Sequence, residues 1–284
     1  MSKEKTVYID GDNLPYRIGF QTQRTIYTCD IEGEHTCSPF LITKYKRDVN
    51  KFLKLVPDML VSTHEYLEEP MQAINTLKLA LQGIVMGSKC NTFKVVLSGK
   101  DNFRNEIAPD DSEIWKDSKF VGYKANRKDF QKPAHWQMLR EWLEDKPYTI
   151  ISENEEADDV VSRAMVEGYV GASNDKDLDN TPGLHYNFNK GELYELTEAE
   201  AIRNFYRQCL TGDTADNIPG LKGIGPVKAN KILGNSLVMG ELEQSVLDAY
   251  AAVYDDPQEA LTQVGRLLHM RRVKDEIWNP VTAG

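Results

Sequence analysis

A mainly parallel α/β sheet flanked by helices, followed by a helical C-terminal part, is the fold this sequence predicts. Three observations carry it. Short β-branched or aromatic runs, Thr6–Ile9, Phe93–Leu97, Tyr148–Ile151 and Tyr169–Ala172, alternate with helix-like segments. That alternation is the pattern of βαβ units. Beyond about residue 190 the chain becomes almost wholly helical. Each of the four strand-like runs is also followed at once, or within four residues, by carboxylates. Ligand sites of open α/β sheets lie at such strand ends.

The chain has 284 residues, enough for one large or two modest domains. The change of pattern divides it into 1–190, an α/β core, and 191–284, a helical part. No apolar run reaches membrane-spanning length, and the N-terminus carries no secretory apolar segment. A cytoplasmic protein without a membrane partner is expected. Four irregularly spaced cysteines, Cys29, Cys37, Cys90 and Cys209, fit a reducing compartment. Cys29, His35 and Cys37 match no familiar zinc spacing, and a hairpin turning at Glu32-Gly33 explains that stretch better. The net charge of −10 excludes nucleic-acid binding through overall positive charge. It leaves open an enzyme that gathers carboxylates at one site and keeps basic patches elsewhere.

In chain order, Thr6–Ile9 is a strand ending in Asp10-Gly11-Asp12-Asn13. A plain turn and a ligand site are both consistent with those residues. Arg24–Thr43 reads as a hairpin and Tyr45–Val56 as a basic helix. Lys44, Lys46, Arg47, Lys51 and Lys54 there form a solvated face. His64–Met86 reads as one amphipathic helix, with Ile74, Leu77, Leu81, Ile84 and Val85 on one side. Phe93–Leu97 is a buried strand running into Ser98-Gly99-Lys100-Asp101-Asn102-Phe103-Arg104. The cationic stretch from Lys116 to Lys132 contains Tyr123-Lys124-Ala125-Asn126-Arg127-Lys128. An aromatic ring among cations suits a phosphodiester backbone with a base stacked on the ring. A helix over Pro133–Leu143 follows, with its tryptophans in the core.

Tyr148–Ile151 leads to Glu155-Glu156-Ala157-Asp158-Asp159, the densest acidic stretch. Acidic residues favour helix N-termini, but so much like charge also calls for a cation. Tyr169–Ala172 ends in Ser173-Asn174-Asp175-Lys176-Asp177. A hairpin turns at Lys190-Gly191, and Thr197 with Glu200 forms a capping box for a helix ending near Leu210. Asp213 and Asp216 then precede Pro219-Gly220-Leu221-Lys222-Gly223-Ile224-Gly225-Pro226. Those glycines allow backbone N–H groups close to an anion, and Pro226 can start the helix Val227–Leu233. Leu242–Met270 supplies two further helices.

Together these segments nominate Asp10, Asp101, Glu156, Asp158, Asp159, Asp175, Asp177, Asp213 and Asp216 as metal-binding carboxylates. Such a set can hold two divalent ions about 4 Å apart, the arrangement that stabilises attacking and leaving oxygens of a phosphoryl displacement. Lys124 and Arg127 could neutralise charge building on the phosphate. No P-loop lysine motif is present, which disfavours an NTPase.

The same residues resemble the 5′-nuclease superfamily of flap endonucleases, polymerase-associated 5′-nuclease domains and bacteriophage 5′→3′ exonucleases. Asp10-Gly11 is similar to its first motif, Tyr123–Arg127 to its Y-K-x-N-R segment, and Glu156–Asp159 to its E-x-D-D. Ser173–Asp177 resembles S-x-D-x-D, and Gly212–Gly220 with Gly223–Gly225 resembles the helix–two-turn–helix. The motifs stand in the family's order through most of the chain, and the phage exonucleases look nearest.

The resemblance implies a PIN-like core and a DNA-binding helix–two-turn–helix subdomain. It implies two or three magnesium or manganese ions, with potassium at the two-turn element. It implies a monomer acting in DNA replication, in the host cytoplasm for a phage product. The expected substrate is double-stranded or branched DNA with a 5′ end, including RNA–DNA hybrid, cut to 5′-phosphate products. Lys124 and Arg127 would meet the scissile phosphate and Tyr123 the terminal base. Arg104, Lys128, Gly220, Gly223, Gly225 and Lys228 would line the DNA. Asp101 best matches the carboxylate expected after the second strand, and Asp12 is an extra one. A PIN-type ribonuclease and a non-catalytic branched-DNA binder are the alternatives. Intact carboxylates oppose the second, and the Gly-Ile-Gly element opposes the first.

Overall fold

The computed structural model describes residues 5–31, 41–43, 45–57, 59–128 and 130–281. The elements are β1 (Thr6–Asp10), α1 (Asn13–Thr22), β2 (Gln23–Ile31), β3 (Leu41–Thr43), α2 (Lys46–Leu53), β4 (Met59–Leu67), α3 (Pro70–Gly87), β5 (Thr92–Leu97), α4 (Trp136–Glu144), β6 (Thr149–Ile151), α5 (Ala157–Val166), β7 (Val170–Ala172), β8 (Gly183–Asn187), β9 (Glu192–Leu196), α6 (Glu198–Thr211), α7 (Pro226–Ile232), α8 (Met239–Tyr250) and α9 (Pro257–Leu268). Two compact units result. One comprises Met1–Asp12, Leu81–Phe130 and Glu144–Gly284, and the other Asn13–Ala80 and Gln131–Leu143. The partition into 1–190 and 191–284 remains a proposal, for it separates chemistry from binding rather than compact bodies.

The first unit holds a six-stranded sheet in the order β6-β5-β1-β7-β8-β9. All neighbours are parallel except β8 and β9, which form the expected hairpin. β1 lies between β5 and β7, and its Val7 and Ile9 are fully buried. A strand with neighbours on both sides favours β-branched side chains on each face. At its end Gly11 donates its N–H to Val96 O at 2.8 Å. A Cβ on Gly11 would stand 2.5 Å from Val95 Cγ1, so only glycine permits this approach. α5 packs Ala157, Val161 and Met165 against Val96 and Leu178.

The helical part of this unit closes over its own core. Phe205 and Leu210 of α6, Val246 and Tyr250 of α8, and Leu261, Val264 and Leu268 of α9 are its buried centre. The capping box at Thr197 forms as expected, with Glu200 N donating to Thr197 Oγ1 at 3.3 Å and Thr197 N to Glu200 Oε2 at 2.9 Å.

The second unit holds a three-stranded antiparallel sheet, β3-β2-β4. Val49 of α2 packs against Cys29 and Met59. Two expectations are corrected here. β2 and β3 do pair, but the long partner of β2 is β4, whose nine pairs run from Gln23↔Leu67 to Ile31↔Met59. His64–Leu67, read as the start of a helix, therefore belongs to a strand, and the helix begins at Pro70. The turn at Glu32-Gly33, with His35 and Cys37, lies outside the described residues. No described helix is long and apolar enough to cross a membrane.

Candidate active site

Because β6, β5, β1 and β7 are parallel neighbours, their C-terminal ends share one edge. Asp10 ends β1, Ser98 follows β5, Glu156–Asp159 open α5 after β6, and Ser173–Asp177 follow β7. Asp213 and Asp216 come from the turn between α6 and α7. Among the described residues no three His, Cys, Asp or Glu side chains are drawn together as a set that could hold a metal ion. The carboxylates instead act on one another in two groups that share Asp175.

The first group is Asp10, Asp158 and Asp175. Asp10 is buried and accepts from Ser173 Oγ at 2.9 Å and from Asp12 N at 3.3 Å. Burial, then the charge of Asp12, push its carboxyl up to about 7. Asp158 is driven well above the usual carboxylate range by desolvation and by Asp10, Asp175 and Glu156. Asp175 is raised chiefly by burial, although its Oδ1 accepts from Asp177 N at 3.1 Å.

The second group is Asp175, Asp177 and Asp213. Burial, Asp175 and Asp213 push Asp177 up to about 8. Burial would raise Asp213 too, but Lys176 Nζ at 2.9 Å from Oδ2 and Ala215 N at 2.7 Å from Oδ1 bring it below its ordinary value. Unequal surroundings thus leave one carboxyl of this pair ready to hold a proton and the other ionised.

Facing these groups is the 123–127 segment. Lys124 Nζ is bonded to Glu156 and lies 3.6 Å from Asp216 Oδ2. Arg127 Nη2 is bonded to Asp216 Oδ1. Tyr123 Oη lies 2.7 Å from Glu156 Oε2 and 2.9 Å from Asp216 Oδ2. Burial penalises both charges of the Lys124–Glu156 pair, yet their attraction outweighs it, raising the lysine and lowering the glutamate. The segment is also anchored to the backbone carbonyls of Thr214, Ala215 and Asp216. Lys124 N donates to Asp216 O at 2.8 Å, Asn126 Nδ2 to Thr214 O at 2.8 Å and Arg127 Nε to Ala215 O at 2.9 Å.

Several nominated residues do something else. Arg104, expected on DNA, is 1% exposed. Its guanidinium meets Asp159 at 2.6 and 2.9 Å and donates to Leu267 O and His269 O. Asp159, expected on a metal, also accepts from Glu156 N and Arg271 N. Its oxygens are spent on structure, and burial fails to raise its carboxyl because Arg104 holds it low. Tyr123, expected under a base, packs its ring against the helical core and is tied at its hydroxyl. Asp101 is exposed, and the carboxylate at the β5 end is Asp12, whose Oδ1 accepts from Ser98 N at 3.0 Å. Gly220 is a close-approach glycine, since a Cβ there would sit 2.1 Å from Thr211 C. Gly223 adopts φ +75° with Lys228 Nζ 3.9 Å from where its Cβ would stand, Gly225 has open space, and Lys128 and Lys228 are exposed.

Sequence reasoning passed over Gln208. It is buried on α6 and donates to Asp177 Oδ1 at 2.5 Å and Asp213 Oδ2 at 3.2 Å. The available signal was a glutamine on the apolar stripe of Ala201, Phe205 and Cys209.

Flap endonucleases Xni of Shewanella sp. (strain MR-4) and Shewanella sp. (strain MR-7) are each 30% identical to this chain over 159 residues. The match spans 49% of this chain and 61% of theirs, less than two thirds of the relatives' length. A structure of a mutant T5 5′-exonuclease has a TM-score of 0.50 at 15% identity, covering 94% of this chain and 85% of that one. A T5 5′-exonuclease structure with bound zinc has a TM-score of 0.52 at 17% identity, covering 94% and 86%. No protein-family model matches. The sequence likeness to these flap endonucleases covers 49% of the chain, and the likeness to the T5 5′-exonuclease fold covers 94% of it.

Proposed function

We propose that this chain is a divalent-cation-dependent 5′-nuclease, a 5′→3′ exodeoxyribonuclease with flap endonuclease and primer-removing action in DNA replication. The observation that carries the reading is the gathering of Asp10, Asp158, Asp175 and Asp177 at one sheet edge, with Asp213 of the α6–α7 turn beside them and with Asp10 and Asp177 pushed up to about 7 and 8 by burial and by their neighbours. Buried and half-buried carboxylates that repel one another so strongly fit hard cations with oxygen ligands. Asp10, Asp158 and Asp175 would hold one magnesium or manganese ion, and Asp175, Asp177 and Asp213 a second, partly through water. When bound, such ions activate a water and stabilise the oxygens of the displacement. Lys124 and Arg127 would turn from Glu156 and Asp216 to the scissile phosphate and neutralise its growing charge. The exposed turn from Gly223 to Lys228 would take the duplex backbone, with potassium as its ion.

The test is a time course on a 5′-labelled duplex and a 5′-flap substrate, with magnesium and with EDTA. Magnesium-dependent release of labelled mononucleotide or of the whole flap is expected. No product from either substrate, beside cleavage of single-stranded RNA, would overturn it in favour of a ribonuclease.

Two expected outcomes follow from the same geometry. Lys124→Ala is expected to slow single-turnover cleavage on the order of 10²-fold, the usual cost of losing one transition-state charge contact. Duplex affinity is expected to stay near wild type, and a defect confined to affinity would move Lys124 from chemistry to docking.

The second outcome concerns pH. Asp10 and Asp177 have folded pKa values of about 7 and 8, above their unfolded value. Their contribution to stability is complete below the unfolded pKa and is lost as pH rises through the folded values. A bound cation relieves that loss. The rise in melting temperature on adding magnesium is therefore expected to be larger at pH 8.5 than at pH 5.5. An equal rise at both, read by calorimetry, would detach the two carboxylates from the metal.

A further inference from the structure

We infer that Gln208 is a positioning residue whose side-chain amide sets the separation of Asp177 and Asp213, and thereby governs occupancy of the second cation position. The inference rests on the two-cation reading above. Gln208 is 8% exposed, on a helix face otherwise given to apolar side chains. An apolar residue would fill the same space without the cost of burying an amide. Its Nε2 lies 2.5 Å from Asp177 Oδ1 and 3.2 Å from Asp213 Oδ2, so its two protons can serve one carboxylate each.

The orientation of the amide follows from the network. Asn180 Nδ2 donates to Gln208 Oε1 at 2.5 Å, and Asn180 is itself buried. A flipped amide would set its oxygen against two carboxylates and its nitrogen against a donor. Asp177 and Asp213 are also in hydrogen-bond contact with each other, and the amide that donates to both fixes the geometry of that contact. Lys176, an exposed lysine, already pairs with Asp213 at 2.9 Å and would have to give way to an incoming cation. The neutral amide holds the spacing of the two carboxyls without adding a second, buried positive charge. Supporting groups of this kind commonly change metal affinity by about 10–100-fold when removed.

The test measures Mn²⁺ binding to the full chain without DNA, by electron paramagnetic resonance. It compares wild type, Gln208→Met and Asn180→Ala, with metal-free melting temperature as a parallel readout. Wild type is expected to bind two ions. Gln208→Met is expected to keep one at wild-type affinity and to bind the other at least about tenfold more weakly. Asn180→Ala, which frees the amide but keeps it, is expected to show a smaller loss confined to the same ion. A purely structural role would move the melting temperature and leave both ions bound as in wild type. Wild-type binding in Gln208→Met, or in Asn180→Ala should Gln208→Met fail to fold, overturns the inference and leaves the two-cation reading standing. A wild-type chain that binds no Mn²⁺ overturns that reading itself.

Discussion

Asp158→Asn is expected to reduce magnesium-dependent cleavage by on the order of 10²–10³-fold while raising the melting temperature of the metal-free protein. The two effects have one cause. Asp158 is held far above the ordinary carboxylate range by desolvation, by Asp10 and Asp175, and by Glu156. Asparagine keeps the size and the polarity of the side chain but removes an acid that, in the metal-free fold, either repels its neighbours or takes up a proton. The fold gains, because an unfavourable interaction is gone. Cation binding, on the proposed reading, would lose, because an ion there would take the Asp158 carboxylate as a ligand. Duplex affinity, carried by other residues, is expected to stay near wild type. A calorimetric scan beside a single-turnover assay checks both halves. Cleavage at the wild-type rate would remove Asp158 from the metal site, and a fall in melting temperature would make it a structural carboxylate.

Arg104→Ala is expected to destabilise the protein by about 3–5 kcal/mol, the usual cost of breaking a buried ion pair. Both side chains of the Arg104–Asp159 pair are fully buried. Removing the guanidinium strands the Asp159 carboxylate and also takes donors from Leu267 O and His269 O. Arg104→Met combined with Asp159→Leu is expected to recover much of the loss, because no unpaired charge is then left inside. Urea unfolding of the two variants decides the matter. If Arg104→Ala unfolds like wild type, the pair is not what holds α5 to the segment at Leu267–Arg271.

These two residues also show what the sequence makes legible. Asp158 was readable because acidic residues recur after β1, β6 and β7, and a parallel sheet brings such ends together. Asp159, its chain neighbour, looks the same in sequence and does a different job. The difference comes from Arg104, 55 residues away, and from the carbonyls of the last helix. No local pattern reports a partner at that distance.

The mistaken helix start has a different cause. β4 is exposed from Leu60 to Leu67, so no alternation of buried and exposed residues marks it as a strand. The genuine periodicity of α3 was extended backward past Pro70, although proline at the first helical turn marks a beginning. Gln208 was missed because a single polar residue on an apolar stripe acquires meaning only from what it faces.

The anchoring of Tyr123–Arg127 bears on how such a protein can be altered. Residues near 125 and near 215 are about ninety positions apart in the chain, yet one main-chain bond and two side-chain donors, Asn126 Nδ2 and Arg127 Nε, tie the first segment to the carbonyls of the second. The cations that would meet the phosphate and the last carboxylates of the edge are one part made from two segments. Neither can be exchanged alone. A chimera that takes residues 120–128 from a relative is expected to keep its geometry only if residues 212–217 travel with them. Insertions tolerated in either loop by itself are those that leave the bond between Lys124 N and Asp216 O in place.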